Sequence, residues 1–338
     1  MLDSRSKQLA AEVMAKLATL VEKKWHMESF ILPQLYELQA LRGKPVVIYS
    51  STIDSDVVRI LYECLRQMGP TQRLDVVLST PGGVVTIARR LALLLREFTQ
   101  HLTILVPYHA KSAGTLLCLS ANELVLGPMA ELGPIDAHIG SVGASPSDAP
   151  SMISTEDVRA FRQMAEDWFG VNREEDHLQV LALMAERVFP TSLGSFYRSD
   201  RLTRQAAQEL LYYQLPDVEE NTRQRIVNQL VGGYYAHDHI ITRVEARNLG
   251  LQVRFASPQE EALLWDISKT NRRQFLEHTG RSDDEGIIGL IMSAHFCARQ
   301  VLHWADVPRV QRVGMRQGKE GGSQTQKISH VSWEIDGE

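Results

Sequence analysis

The sequence predicts an α/β protein built on parallel βαβ units. Three observations carry that prediction. Short runs rich in β-branched residues recur at 46–49, 74–78, 102–106 and 123–126. Helical stretches of one periodicity lie between them, at 54–68, 84–98 and 113–121. Strands alternating with helices of that length are joined by crossovers, which makes the sheet parallel.

The segment before the first strand, residues 5–41, reads as helical. Leu9, Val13, Leu17, Leu20 and Val21 recur at three- and four-residue spacing with Lys and Glu between them. Such a stripe is expected to pack on the chain's own core or on a sister subunit. Within 84–98 the period is clear, with Ile87, Ala88, Leu91, Leu95 and Phe98 on one face. After Ile139 the run GSVGASPSDAPSMIST is a loop by composition. A charged, mostly helical stretch from Glu156 to about Leu230 decorates the core, and AHDHIITRVEARNLGLQV (236–253) closes the region. Two further helices are expected at 259–277 and 283–304, then a polar tail whose end, KISHVSWEI, either adds one strand or stays disordered. The expected organisation is thus a helical segment (1–44), a main domain (45–256) and a C-terminal helical module (257–338).

Composition bounds the function. The 338 residues are 44% hydrophobic and 23% charged, with a formal net charge of −5. An acidic balance of that kind argues against nucleic-acid binding, which leaves a basic footprint. Cys64, Cys118 and Cys297 are too few and too scattered for a disulfide framework or a CxxC metal site, and their usage fits a reducing compartment. The first 25 residues are charged throughout, without the apolar core of a signal peptide, and no apolar run reaches membrane-spanning length. A cytoplasmic location is expected. His295, Cys297 and His303 fall on one expected helix at a spacing that brings no common metal within reach of all three. Trp265, Trp304 and Trp333 read as packing for the C-terminal module.

Two motifs carry chemistry. LSTPGG (78–83) ends a strand just before a helix, where glycines permit backbone conformations and close approaches that a side chain blocks. Their N–H groups then point into a place where negative charge is favoured. VPYHAKSAGT (106–115) leads from a buried-type strand through a turn with Ser112 into small residues that open a helix. A hydroxyl there, beside the free Ala113 N–H, is what acyl transfer needs: a nucleophile and donors aimed at developing charge. The ordinary use of such a serine is as a helix N-cap, and of such glycines as a strand-to-helix turn.

STPGG, VPYHAKSAGT, ANELVLGPMAELGPID and AHDHIITRVEARNLGLQV, in that order, resemble the serine dehydrogenase proteinase family, a relative of signal peptide peptidase A and of the Clp proteolytic subunit. The resemblance covers roughly Trp25 to Phe255. It implies a Clp/crotonase-like ββα spiral with added helices at both ends, Ser112 as nucleophile, and the N–H groups of Gly83 and Ala113 as oxyanion donors. It also implies a homo-oligomer, a peptide or unfolded-protein substrate and no cofactor.

The base is open. The Ser–Lys dyad of the signal peptide peptidases takes a downstream lysine, and no lysine occurs between Lys111 and Lys269. The Clp pattern takes a downstream histidine and an aspartate ahead of the EA…GL signature, which fall here on His138, 26 residues after Ser112, and on Asp238. The expected triad is Ser112–His138–Asp238. Asp136, His109, His237, His239 and Lys111 stand as alternatives. The leading function is an ATP-independent serine peptidase. The competing ones are a crotonase-type acyl-CoA enzyme and a catalytically silent scaffold that binds extended peptides.

Overall fold

The computed structural model describes residues 32–136, 138–141, 151–171, 173–188, 190–278, 285–308 and 325–335. In chain order the elements are α1 (Leu32–Arg42), β1 (Val46–Ser50), α2 (Val57–Met68), β2 (Thr71–Ser79), α3 (Val85–Phe98) and β3 (Thr99–Val106). Next come β4 (His109–Ala110), α4 (Ala113–Cys118), β5 (Glu123–Leu126), β6 (Glu131–Leu132), β7 (His138–Ser141) and β8 (Ser151–Ser154). Four helices follow: α5 (Thr155–Phe169), α6 (Glu174–Arg187), α7 (Pro190–Gln214) and α8 (Glu220–Gly232). The chain closes with β9 (Ile241–Thr242), α9 (Arg243–Asn248), β10 (Val253–Phe255), α10 (Pro258–His278), β11 (Glu285–Met292), β12 (Cys297–Pro308) and β13 (Thr325–Ile335).

The main sheet has the order β10-β5-β3-β2-β1-β11-β12-β13. From β10 to β1 it is parallel, as the alternation of strands and helices requires. The inner strands are buried on both faces, β1 at every position. That is how a sheet covered by helices on both sides must read. Alternate residues sort into two apolar layers. Val47, Tyr49, Val76, Leu78, Ile104 and Val106 pack under α2, α3, α4, α7 and α8. Val46, Ile48, Val77, Leu105 and Val125 face Leu35 and Leu38 of α1 and Leu264 and Ile267 of α10. Burying Asp75 on β2 needs compensating charge. Arg42 and Lys44 supply it at 2.6 and 2.7 Å, and Arg42 continues to Glu260 of α10.

A second, three-stranded sheet, β4-β6-β9, pairs β4 with β6 in parallel and β6 with β9 antiparallel. It holds the loops that follow β3 and β5 against the segment after α8. The helix expected at 283–304 is instead two strands. β11 pairs antiparallel with β1 (Ile48↔Met292) and with β12, and β13 pairs along β12. Gly286 and Gly289 weaken a helix there, and Ile287, Ile288 and Ile291 suit a pleated, half-buried surface. The free edge of β1 then decides. The loop expected after Ile139 begins and ends as a hairpin, β7 with β8. The N-terminal stripe from Leu9 to Val21 lies outside the described residues, while α1 is helical as expected. His295, Cys297 and His303, expected on one helix, lie at a turn and on β12.

Candidate active site

The site is assembled where β2 and β3 end. After β2, Thr80 donates its N–H to the His109 carbonyl at 2.9 Å and accepts from the Lys111 N–H at 3.1 Å, which ties the two strand ends together. Thr80 Oγ1 accepts from the Gly82 N–H at 3.1 Å and shapes the turn. Gly82 and Gly83 have φ values of 111° and 146°, a region that side chains avoid. A methyl on Gly82 would stand 2.8 Å from the Lys111 carbonyl oxygen and 3.1 Å from Ser112 Cβ. One on Gly83 would overlap the Ile53 carbonyl oxygen at 2.1 Å. Ile53 brackets Gly83, taking the Gly82 carbonyl and the Val84 N–H at 2.8 Å each, so the Gly83 N–H points away from Ile53.

Ser112 is the one described residue other than glycine with positive φ (φ 50°, ψ −113°). It opens α4 without capping it, because its hydroxyl makes no bond to the helix N–H groups. The N-cap explanation of this serine therefore fails. Its Oγ lies 3.5 Å from the Asp136 carbonyl oxygen, and the residue is 8% exposed. Among the described residues the N–H groups of Gly83 and Ala113 donate to no acceptor. Thr115, one turn into α4, holds the facing segment in place: its Oγ1 lies 2.8 Å from the Ala110 and Gly133 carbonyls and accepts from the Gly133 N–H at 3.0 Å.

The structure thus brings Ser112, Gly83 and Ala113 together. Asp238 is exposed on the turn before β9. His138 starts β7 opposite Ser154. Of the alternatives, Asp136 is buried, and His237 Nδ1 lies 3.8 Å from its Oδ2. The Lys111 ammonium is held by Glu131 at 3.2 Å. Burial, with Lys111 beside it, holds the His109 imidazole below its ordinary pKa, against a weaker pull from Glu131. His239 stacks on Tyr234 at 4.3 Å and sits 3.3 Å from Glu245. Cys64, Cys118 and Cys297 are buried and form no disulfide with one another, and burial pushes the Cys64 thiol up to about 12. No group of ligating side chains able to hold a metal occurs among the described residues, and none of their helices is long and apolar enough to cross a membrane.

An α/β core with a strained serine beside a Gly-Gly turn is the arrangement expected of a serine peptidase. Residues 6–159, a stretch that contains Ser112, Gly83 and Ala113, match the family described as ClpP-like SDH-type serine proteinase. Two proteins of Methanocaldococcus jannaschii are similar over more of the length. Uncharacterized protein MJ0137 is 26% identical over 264 residues, 77% of this chain and 81% of that one. Uncharacterized protein MJ1495 is 22% identical over 249 residues, 73% and 74% of the two chains. Among solved structures, a mutant of the 1510-N membrane-bound stomatin-specific protease overlays with a TM-score of 0.37 at 14% identity, covering 68% of this chain and 83% of that one.

Proposed function

We propose that this serine peptidase cleaves peptides or unfolded segments without ATP, with Ser112 as nucleophile and the N–H groups of Gly83 and Ala113 as oxyanion donors. The backbone of Ser112 carries the reading. A buried serine in a conformation that costs an L-residue about 1–3 kcal/mol, and that does not cap its helix, is strain retained for the placement of its hydroxyl. In the reaction Oγ attacks the scissile carbonyl carbon, and the carbonyl π electrons move to oxygen, where the two N–H groups receive the charge. The proton that Oγ gives up passes to the leaving nitrogen, so collapse breaks the C–N bond, expels the amine and leaves an acyl-serine, which water hydrolyses by the reverse sequence, its proton returning to Oγ.

Several finer points belong to the same reading. The peptidase is taken as cytoplasmic and homo-oligomeric. Support for oligomerisation comes from Trp168, Phe169, Leu178, Leu181 and Leu183 on α5 and α6, all more than half exposed. Large apolar side chains left this exposed are a common mark of an interface.

The test is hydrolysis of a quenched-fluorescence peptide library or of unfolded casein, with and without ATP, by the native chain and by Ser112→Ala. Cleavage by the native chain in both conditions and none by the variant is the expected result. Full activity in Ser112→Ala removes the assignment. An acyl-CoA turnover that survives the same substitution would place the chain with crotonase-type enzymes instead.

A further inference from the structure

The loop that orients the Gly83 N–H is held in place from the far side of the sheet. Ile53 gives both of its backbone groups to the glycine turn, its N–H to Gly82 and its carbonyl to Val84. Its own position is therefore set by its neighbours in the loop between β1 and α2. Tyr49 donates its hydroxyl to the Thr52 carbonyl at 3.1 Å. Asp54 Oδ1 accepts from the N–H groups of Asp56 and Val57 at 3.0 and 3.2 Å, where α2 begins. Two further contacts come from one distant side chain. Ser51 donates its hydroxyl to Gln300 Oε1 at 2.8 Å, and Gln300 Nε2 donates to Asp54 Oδ2 at 3.3 Å. A single amide thus grips the loop on both sides of Ile53.

Gln300 stands on β12, and β11 lies between that strand and β1. To reach Ser51 the amide crosses β11 at Gly289, the residue paired with it. A methyl on Gly289 would stand 2.7 Å from Gln300 Oε1 and 2.8 Å from Ser51 Oγ. Gly289 is not among the glycines with positive φ, so what it supplies here is room for the crossing. The register between β11 and β12 shifts just before it, between Ile287 and Gly289. Gln300 and Ser51 are 5% and 4% exposed. An apolar side chain would fill that space with no polar atom to satisfy, whereas a buried amide and hydroxyl must find partners. A polar bridge kept in such a place serves orientation.

Resting on the reading of the Gly83 N–H as an oxyanion donor, we infer that Gln300 is a positioning residue for the oxyanion hole. It acts through Ser51 and Asp54 on Ile53, and through Ile53 on Gly83. The antiparallel strands beyond β1 then have a catalytic consequence, because they carry the clamp that keeps one donor aimed at the developing charge. Such a donor must lie about 2.7–3.1 Å from the place where the oxyanion forms. Loosening the Ile53 loop turns the Gly83 peptide away from that place. The loss falls on the transition state and spares ground-state binding, so kcat drops and KM stays.

The test compares Gln300→Met, which keeps the length of the side chain and removes both polar atoms, with Ser51→Ala and with the two combined. Fluorophosphonate titration counts the reactive sites, so that only folded chains enter the rates. For Gln300→Met we expect kcat per site to fall about 10-fold at unchanged KM, a part of the 10²–10³ that a whole donor contributes. The C-terminal aldehyde of the best-cleaved peptide, whose hemiacetal oxygen occupies the oxyanion position, should bind about 10-fold more weakly. The matching peptide alcohol, which forms no such oxygen, should bind as it does to the native chain. Ser51→Ala should move kcat and aldehyde affinity in the same direction. The double variant should lose little more than Gln300→Met, as two groups acting through one contact do. A kcat of Gln300→Met within about twofold of native, with Gly83→Ala crippled, overturns the inference and leaves the oxyanion reading intact. Aldehyde and alcohol weakened alike, or a raised KM, also overturns it, since a general loosening of the fold has that effect. A native chain that takes no label, or native-like hydrolysis by Ser112→Ala or by Gly83→Ala, overturns the underlying reading and the inference with it.

Discussion

The strain at Ser112 makes a prediction about stability that does not depend on catalysis. Replacing Ser112 with glycine removes the side chain that φ 50° and ψ −113° oppose, a relief of about 1–3 kcal/mol. Little is lost with the hydroxyl, whose one described contact is at 3.5 Å, the limit of a hydrogen bond. Against this stands the greater freedom of glycine in the unfolded chain, which costs about 0.4–1 kcal/mol. The net expectation is a gain of about 1 kcal/mol for Ser112→Gly. Ser112→Ala keeps Cβ and with it the strain, so it should stay near the native stability. Both variants lack the nucleophile, so the comparison isolates the backbone. Denaturant unfolding of the three chains side by side, read by fluorescence and by circular dichroism, provides the assay. A glycine variant less stable than the alanine variant by the usual cost of glycine would refute the argument, because it would mean that the turn relaxes when folded and no strain is stored there.

Two further outcomes follow from the same geometry. Gly83→Ala should destabilise by about 1–3 kcal/mol from its φ of 146°, and the 2.1 Å overlap with the Ile53 carbonyl should turn its N–H away. Hydrolysis should then fall by about 10²–10³-fold, the effect of one lost oxyanion donor, measured as kcat/KM beside a melting curve. For Glu260, burial alone would raise the carboxyl, but its hydrogen bonds to Arg254 and Ser257 prevail and hold it at about 2. That stabilisation is fully present above the ordinary carboxylate pKa of about 4.3 and is lost as pH falls through the folded value. Glu260→Gln should therefore cost about 2 kcal/mol at pH 7 and progressively less towards pH 2, measured by unfolding across that range.

The parallel half of the sheet was legible because its strands and helices are fixed by local patterns: continuous apolar runs buried on both faces, and the 3.6-residue stripe of α3. The C-terminal strands were not. The run from Glu285 to Met292 is apolar and short, and periodicity cannot separate a buried strand from a buried helix there. What settles it is the open edge of β1, contributed by residues more than 200 positions earlier. The active site divides in the same way. The glycine turn and the serine turn are each contiguous motifs, and both were readable. The approach of His237 to Asp136 depends on the pairing of β6 with β9, two-residue strands with no sequence signature, so that contact was not legible.

The central claim is that the Ser112 hydroxyl forms the covalent intermediate. Its most direct test is incubation of the folded chain with a biotinylated fluorophosphonate, followed by intact mass and peptide mapping. A single adduct is expected on the peptide containing Ser112, abolished by prior heat denaturation and absent in Ser112→Ala. An adduct on another residue, or labelling of Ser112→Ala at the native rate, would contradict the claim.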